Sequence, residues 1–183
     1  GCLGDGGALI TNNDNLAKFA RSVRDHGRGD DLEAINWGRN SRLDSLNARV
    51  IVERLRILDD LIFKRRQLAS LYFNRLEILE KKGFIELPPK YSTNSKDEST
   101  FQNFEIKAES RDELINHLKI NNISTIKQWG GFSIAHFSKL GYEIQNYPFS
   151  KKLFDKLLLL PLNHMMSLEE VEFISFKVIE FYT

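Results

Sequence analysis

The sequence has one cysteine, Cys2, and no long apolar run. A single cysteine excludes an internal disulfide framework and is compatible with a reducing compartment, so we expect the protein in the cytoplasm. No apolar stretch approaches the roughly 20 residues that cross a bilayer, and no charged-then-apolar signal segment opens the chain. We therefore expect no membrane partner.

An excess of either charge is also missing, because 26 basic residues are balanced by 25 acidic ones. This balance gives no reason to expect nucleic acid as a partner. The four histidines lack the spacing of metal ligands and Cys2 lies far from them, so no metal site is predicted. No nucleophile elbow occurs, and the GDGG stretch precedes a strand-like segment instead of following one. That order fits neither a dinucleotide fingerprint nor a phosphate-binding P-loop.

What the sequence does contain is an alternation of strand-like and helix-like segments. The glycine-rich start leads into an apolar strand at 8–11, a helix at 15–25 preceded by three cap residues, and a polar loop at 26–40. Residues 42–82 lack Gly and Pro and keep a helical apolar stripe, which predicts two helices that meet at a bend near Leu58.

The rest of the chain continues the alternation. Strands are predicted at 84–87, 101–107, 123–127 and 157–160, and helices at 110–119, 149–156 and 167–181. Ser110 with Glu113, and Ser167 with Glu170, form capping-box patterns at two helix starts. The polar stretch 91–100 is predicted to be mobile. Strands alternating with helices indicate an α/β fold with helices packed on a sheet.

Four segments carry a family resemblance that extends over nearly the whole chain. They are GDGGALITNNDNLAKFARSVRDHG, WGRNSRLDSLNARVIVERLRILDDLIFKRRQLASLY, FQNFEIKAESRDELINHLK and LLLLPLNHMMSLEEVEFI. Together they closely resemble the DegT/StrS-type nucleotide-sugar aminotransferases, which are pyridoxal-phosphate enzymes of fold type I. The resemblance implies the C-terminal portion of such a transferase: the end of the large cofactor-binding domain at 1–57, then a linking helix and a small α/β domain at 58–183.

The resemblance also implies an activity. Such an enzyme uses pyridoxal 5'-phosphate to move an amino group from a donor such as glutamate to a keto group on a nucleotide-linked sugar. Its products enter polysaccharide biosynthesis, including that of lipopolysaccharide. The expected partners are the nucleotide-sugar, the amino acid donor and a second copy of the chain, in a homodimer whose active sites are shared between the subunits.

The lysine that bonds the cofactor covalently in this family is expected a few residues ahead of Gly1. No catalytic residue is therefore predicted within this chain, and the chain alone is expected to be inactive. Two alternatives stay open. Relatives with histidine in place of that lysine act as sugar dehydratases, and a short protein could be a cofactor-free dimerisation or sugar-nucleotide binding module.

Two residues of the GRNSRLD segment are the candidates for cofactor binding. Asn40 matches the asparagine that, in this family, reaches across the dimer interface to the cofactor phosphate of the other subunit. Its alternative role is the N-cap of the helix that starts near Arg42. Arg42 is expected either to help hold the phosphate or to form a structural ion pair.

Three further residues are candidates for substrate binding. Where many members of the family have a His-Tyr-Pro segment that touches substrate, this chain has Gln128, Trp129 and Gly130. Trp129 could stack on the base or sugar, and His136 lies farther along the same loop; packing is the alternative role for each. His26 follows a predicted helix, where a cation interacts well with the helix dipole, and reaches the sugar only if the fold brings it there.

Overall fold

The computed structural model describes residues 2–90 and 99–183, so the predicted mobility of 91–100 falls almost wholly outside the described residues. The chain divides into two compact units, Gly1–Asp59 and Asp60–Thr183, called here the first and second units. No helix among the described residues is long and apolar enough to cross a membrane.

The first unit is built around helix α1, Asp14–Arg24. The predicted cap is confirmed, because the Asn13 side chain accepts a hydrogen bond from the backbone N–H of Leu16 at 3.1 Å. The chain after α1 doubles back through two antiparallel bridges, Asp25 with Asn40 and Arg28 with Ala34. The predicted loop 26–40 is therefore hairpin-like, with an outgoing arm and a returning arm, and the returning arm ends beside the C-terminus of α1.

Two glycines, one on each arm of this loop, allow the backbones of the two arms to approach closely. Gly27 has φ +78°, and a Cβ built there would lie 1.7 Å from the backbone oxygen of Asn36. A Cβ built on Gly38 would lie 2.1 Å from the backbone nitrogen of Gly27. No side chain fits at either position, because the obstructing atoms belong to the backbone.

The strand predicted at 8–11 is wrong. These residues have no regular structure, and Ile10 is 96% exposed. A strand needs a neighbouring chain to accept and donate its hydrogen bonds, and no described residue pairs with this segment. The strand predicted at 123–127 is likewise reduced to a single bridge between Ile126 and Leu159.

The long apolar stripe forms two helices, α2 at Ser45–Leu55 and α3 at Leu58–Lys81. The predicted bend is confirmed, but it comes at Arg56 and Ile57, just before Leu58. The N–H groups of these two residues donate to carbonyls three residues back. That tighter turn ends α2 before α3 begins at Leu58.

The second unit packs helices on a three-stranded antiparallel sheet. The strands are β1, Ile85–Glu86, β2, Phe104–Ala108, and β3, Leu157–Leu160, in the order β1-β2-β3. The helices after α3 are α4, Arg111–Ile120, α5, Pro148–Lys156, and α6, Leu168–Tyr182. The core combines one face of α3 with Leu158 and Leu160 of β3 and the inward side chains of β2, and all four residues of β3 are buried. Tyr72 of α3 stacks on Phe104 of β2 with ring centroids 4.7 Å apart.

The two predicted capping boxes have opposite outcomes. At α6 the Ser167 hydroxyl accepts from the Glu170 N–H at 3.2 Å, and the Glu170 carboxylate accepts from the Ser167 N–H at 2.7 Å. At α4 the prediction is wrong, because Ser110 lies in the left-handed region at φ 48° and its side chain makes no cap bond. A capping side chain reaches the third helical N–H only from an extended backbone.

Candidate functional site

The structure brings Asn40 and Arg42 together at the end of α1. Arg42 Nε donates to Asn40 Oδ1 at 3.1 Å, and Arg42 Nη1 lies 3.4 Å from Asp25 Oδ1. The backbone bridge between Asp25 and Asn40 aligns the three side chains. Because Arg42 donates to the amide oxygen of Asn40, the two N–H groups of Asn40 Nδ2 remain to donate to another acceptor.

The alternative role of Asn40 as a helix N-cap is wrong. Helix α2 begins at Ser45, and its N-cap residue is Asp44. Arg42 does form the ion pair that was its alternative role, and its side chain stays more than half exposed. An ion pair of that exposure is worth about 1 kcal/mol or less, so it orients the arginine without neutralising it.

A cavity of about 900 Å³ lies beside this cluster within the first unit. Its lining residues include Asp5, Gly6 and Gly7 of the glycine loop and three arginines: Arg21 and Arg24 from the last turn of α1, and Arg42. Three guanidinium groups and one carboxylate make the wall cationic. Guanidinium groups match the planar oxygens of phosphate and carboxylate, and the donors of Asn40 are of the same kind. The residues present therefore fit a phosphate-bearing group.

The glycine loop itself packs closely. A Cβ built on Gly6 would lie 2.8 Å from Cys2 Sγ and 3.3 Å from a Leu43 methyl group. The Cys2 thiol donates to the Gly4 carbonyl at 2.9 Å, and Leu3 N–H donates to Asn47 Oδ1 at 3.2 Å. Close approach explains the lack of a side chain at Gly6, whereas at Gly4 the reason is the positive φ of +91°.

His26 is exposed, has φ 61°, and follows directly on the last turn of α1. Its backbone N–H donates to the Arg39 carbonyl at 3.1 Å. It does not belong to the set of residues that line the cavity. The first unit thus places His26 next to the cationic cluster in sequence but outside the cavity wall.

Trp129 lies in the second unit at the tip of a 3-10 turn, Gln128–Gly131. Its φ is 52°, its side chain is 78% exposed, and the next two glycines also have positive φ. A left-handed backbone at a bulky residue costs about 1–3 kcal/mol and occurs preferentially at ligand-binding sites. An exposed indole held in this way offers a flat apolar face for stacking.

His136 has the packing role that was its alternative. Its Nδ1 accepts the Ser133 N–H at 3.0 Å and lies 3.0 Å from Ser133 Oγ. The ring packs between Phe132, at 5.6 Å, and Phe154, at 6.2 Å. Because Nδ1 is an acceptor, the neutral ring carries its proton on Nε2, which is the one ring nitrogen left to donate to a ligand.

Sequence reasoning missed three charged residues that the second unit brings together. Asp112 Oδ1 accepts from Arg111 Nε at 2.9 Å and from Lys127 Nζ at 2.7 Å. These two hydrogen bonds hold the pKa of Asp112 below its usual range. No local pattern could reveal the pairing, since Lys127 lies far along the chain from Asp112. Among residues 2–90 and 99–183, no cluster of three His, Cys, Asp or Glu could hold a metal ion.

Comparison with known proteins adds the following. The sequence profile described as "DegT/DnrJ/EryC1/StrS aminotransferase family" matches residues 2–178. The dTDP-3-amino-3,6-dideoxy-alpha-D-galactopyranose transaminase of Aneurinibacillus thermoaerophilus is 31% identical over 91% of this chain and 44% of its own length. The 3-oxo-glucose-6-phosphate:glutamate aminotransferase of Bacillus subtilis is 30% identical over 93% of this chain and 40% of its own.

A solved structure has a similar fold. DesV of S. venezuelae superposes with a TM-score of 0.84 at 28% identity, covering 99% of this chain and 48% of that one. The chain spans about half the length of the curated relatives it matches. The predicted fold class, part of a fold type I transferase, is confirmed, and the family depends on pyridoxal phosphate. The resemblance in the GDGG and GRNSRLD segments is thereby confirmed: the chain belongs to the DegT/DnrJ/EryC1/StrS aminotransferase family.

Proposed function

We propose that the whole protein, of which residues 1–183 form a part, transfers an amino group from glutamate to a keto group of a nucleotide-linked sugar. The observation that carries the proposal is the cationic cavity of the first unit, which is lined by Arg42, the residue hydrogen-bonded to Asn40. The chain belongs to a family of pyridoxal-phosphate aminotransferases. The names of the two relatives support the substrates: one pairs a transaminase with a dTDP-sugar, and the other pairs glutamate with an oxo-sugar.

In this proposal Asn40 and Arg42 hold the phosphate of the cofactor. Asn40 donates through Nδ2, because its Oδ1 is bound to Arg42. Arg42 contributes charge, and Asp25 limits the directions in which its guanidinium can turn. When bound, pyridoxal phosphate supplies the electron sink that stabilises negative charge on the substrate carbon. The lysine that would bond it and move the proton lies ahead of Gly1 in this proposal, so the chain alone is inactive.

The sugar-nucleotide side is assigned to Trp129, His136 and His26. The Trp129 indole is exposed on a strained turn and is suited to stacking on a base or sugar ring. His136 donates through Nε2, since its Nδ1 is occupied by Ser133. His26 is the one member of the set in the first unit, where it follows the end of α1 and does not line the cavity.

The setting of the reaction follows from the same proposal. Residues 1–57 are assigned to the end of the large domain and 58–183 to the linking helix and small domain. Two copies form a homodimer in the cytoplasm in which Asn40 of one protomer serves the cofactor of the other. The product sugar is used in polysaccharide or lipopolysaccharide biosynthesis.

The test uses the intact gene product, purified with pyridoxal phosphate. Bound cofactor gives a visible absorption band, and glutamate is expected to bleach it; a keto nucleotide-sugar then restores it and is recovered as an amino sugar by mass spectrometry. Asn40→Ala is expected to weaken cofactor binding about tenfold, as the loss of a charge-assisted hydrogen bond of roughly 1.5 kcal/mol requires. The exposed Asn15→Ala on α1 is the matched control.

Three results would contradict the proposal. A histidine at the lysine position, with loss of a sugar hydroxyl and no amino product, identifies a dehydratase. A protein that binds nucleotide-sugar but never gives the absorption band is a binding module. Equal cofactor affinity of Asn40→Ala and Asn15→Ala removes Asn40 from the phosphate site.

A further inference from the structure

The turn that carries Trp129 has one charged anchor. Lys127 immediately precedes the turn Gln128–Gly131, and its carbonyl accepts the Gly130 N–H at 3.0 Å. Its ammonium group crosses to helix α4 and binds Asp112 at 2.7 Å. On the other side of Lys127, Ile126 and Leu159 exchange backbone hydrogen bonds of 3.3 and 2.9 Å. The segment that enters the turn is thus held by the backbone hydrogen bonds of Ile126 and by the ion pair of Lys127.

The anchor continues into the interior of the second unit. Asp112 Oδ1 also accepts from Arg111 Nε, and the Arg111 side chain is only 10% exposed. Arg111 Nη1 in turn donates to the carbonyl of Phe154, near the end of α5. A buried guanidinium with partners on both sides cannot move without losing a bond, which makes Arg111 a rigid support for Asp112.

The same support reaches the second candidate residue. The ring of Phe154, whose carbonyl Arg111 binds, packs against His136 at 6.2 Å. One arginine–aspartate pair therefore holds both the entrance to the Trp129 turn and the residue on which His136 packs. The two candidates for sugar-nucleotide binding share a support although their own contacts differ.

The strain in the turn explains why an anchor is needed. Trp129 keeps φ at 52°, a left-handed conformation that is unfavourable for a bulky residue and persists only where neighbouring structure enforces it. The following glycines, both at positive φ, provide no such enforcement. The side chain of Lys127 lies against Gly131, where a Cβ would be 3.5 Å from Lys127 Cδ. Lys127 thus contacts the end of the turn as well as its beginning.

We propose that Lys127, held by Asp112 and Arg111, is a positioning residue that keeps the Trp129 indole oriented for the nucleotide-sugar. The inference rests on the proposed function for the identity of the ligand. The claim that Lys127 restricts the motion of the turn does not depend on that function, because this motion can be measured without any substrate. Lys127 itself touches neither cofactor nor reacting atoms in this role; it acts only through Trp129.

The substrate-free experiment follows Trp129 fluorescence. The described chain has two tryptophans, Trp37 and Trp129, so the intact protein with Trp37→Phe and any other tryptophan removed reports on Trp129 alone. In that background Lys127→Met is expected to lower the indole's anisotropy and to increase its quenching by iodide, while Lys127→Arg restores both. Lys151→Met is the matched control, since Lys151 pairs with Asp155 on α5 at 3.0 Å. Unchanged anisotropy in Lys127→Met would overturn the proposal.

The kinetic experiment links that order to substrate. Lys127→Met is expected to raise KM for the keto nucleotide-sugar about fivefold, since an exposed ion pair is worth up to about 1 kcal/mol and 1.4 kcal/mol equals tenfold. The half-reaction with glutamate, which does not involve the nucleotide, is expected to keep its rate. In a Trp129→Ala background Lys127→Met is expected to add nothing, because its effect passes through the indole.

The outcomes separate this inference from the proposed function. A Lys127→Met effect on KM that persists in Trp129→Ala overturns the positioning role, as does a loss in both half-reactions together. An active transaminase whose KM is indifferent to Trp129→Ala overturns it also, while leaving transamination intact. If no transamination is found, the proposed function fails, and the anisotropy of Trp129 still decides whether Lys127 orders the turn.

Discussion

Replacing Gly38 by alanine tests whether the close backbone contact between Gly27 and Gly38 is needed to place the residues of the candidate cofactor site. A Cβ at position 38 would lie 2.1 Å from the Gly27 nitrogen and 2.7 Å from the His26 carbonyl carbon, so the two arms must separate by more than 1 Å to reach ordinary contact. Because both obstructing atoms are backbone, no side-chain rotation can relieve the overlap. We therefore expect the returning arm to detach from the end of α1.

The magnitude follows from the bonds that the returning arm makes. Three backbone hydrogen bonds hold it to the end of α1: His26 N–H to Arg39, Arg39 N–H to Val23, and Ser41 N–H to Arg24, at 2.9–3.1 Å. Each is worth about 1 kcal/mol net, so the local opening free energy falls by about 3 kcal/mol. That corresponds to faster amide exchange by on the order of a hundredfold.

The assay is hydrogen exchange by mass spectrometry on the intact protein, read in peptides that cover 20–42. Gly7→Ala is the matched control, since a Cβ there meets nothing within 4 Å and its φ is ordinary. Gly38→Ala is also expected to weaken cofactor binding, because Asn40 follows two residues later on the displaced arm. Exchange in Gly38→Ala as slow as in Gly7→Ala would refute the reasoning.

Three smaller predictions concern the second unit. Tyr72→Phe removes the 2.8 Å hydrogen bond from the phenol to the Pro161 carbonyl and is expected to cost about 1 kcal/mol in urea unfolding; full stability would contradict the buried bond. Ser167→Ala is expected to cost about 1 kcal/mol in the same assay and Ser110→Ala almost nothing, so equal losses would refute the capping assignment. Asp112 has a lowered folded pKa, so its contribution is present at neutral pH and is lost as the pH falls through that pKa. The stability difference between wild type and Asp112→Asn should therefore shrink from pH 7 to pH 3, and a constant difference would exclude this linkage.

Local signals in the sequence predicted the elements whose stabilising contacts are local. Asn13 caps the N-terminus of α1 by a hydrogen bond to a residue three positions later, and Ser167 and Glu170 cap α6 in the same way. The residues that form each cap are therefore visible together in the sequence. Ser110 shows the same letters, yet its backbone turns left-handed where β2 runs into α4, and the capping role is lost. A cap motif is thus predictive only where the preceding chain is free to stay extended.

Features that depend on distant partners could not be found in this way. The apolar run at 8–11 has the composition of a strand, but a strand forms only where another segment pairs with it, and residues 8–11 have no regular structure. Lys127 and Asp112 meet only because the Ile126–Leu159 bridge brings the turn beside α4. In the candidate site, Asn40 and Arg42 were predictable from the resemblance of the GRNSRLD segment, whereas the arginines of α1 that line the cavity with Arg42 were not.

The pairing of Ile126 with Leu159 has a consequence for solubility. The four consecutive leucines of β3 form the kind of β-prone, uncharged segment that recruits other chains when its edge is bare. On one side β3 pairs with β2; on the other side, within the described residues, only the bridge to Ile126 covers it. The segment that leads to Trp129 therefore also covers part of this edge of the sheet. A substitution that breaks this bridge is therefore expected to promote self-association as well as to displace the Trp129 turn.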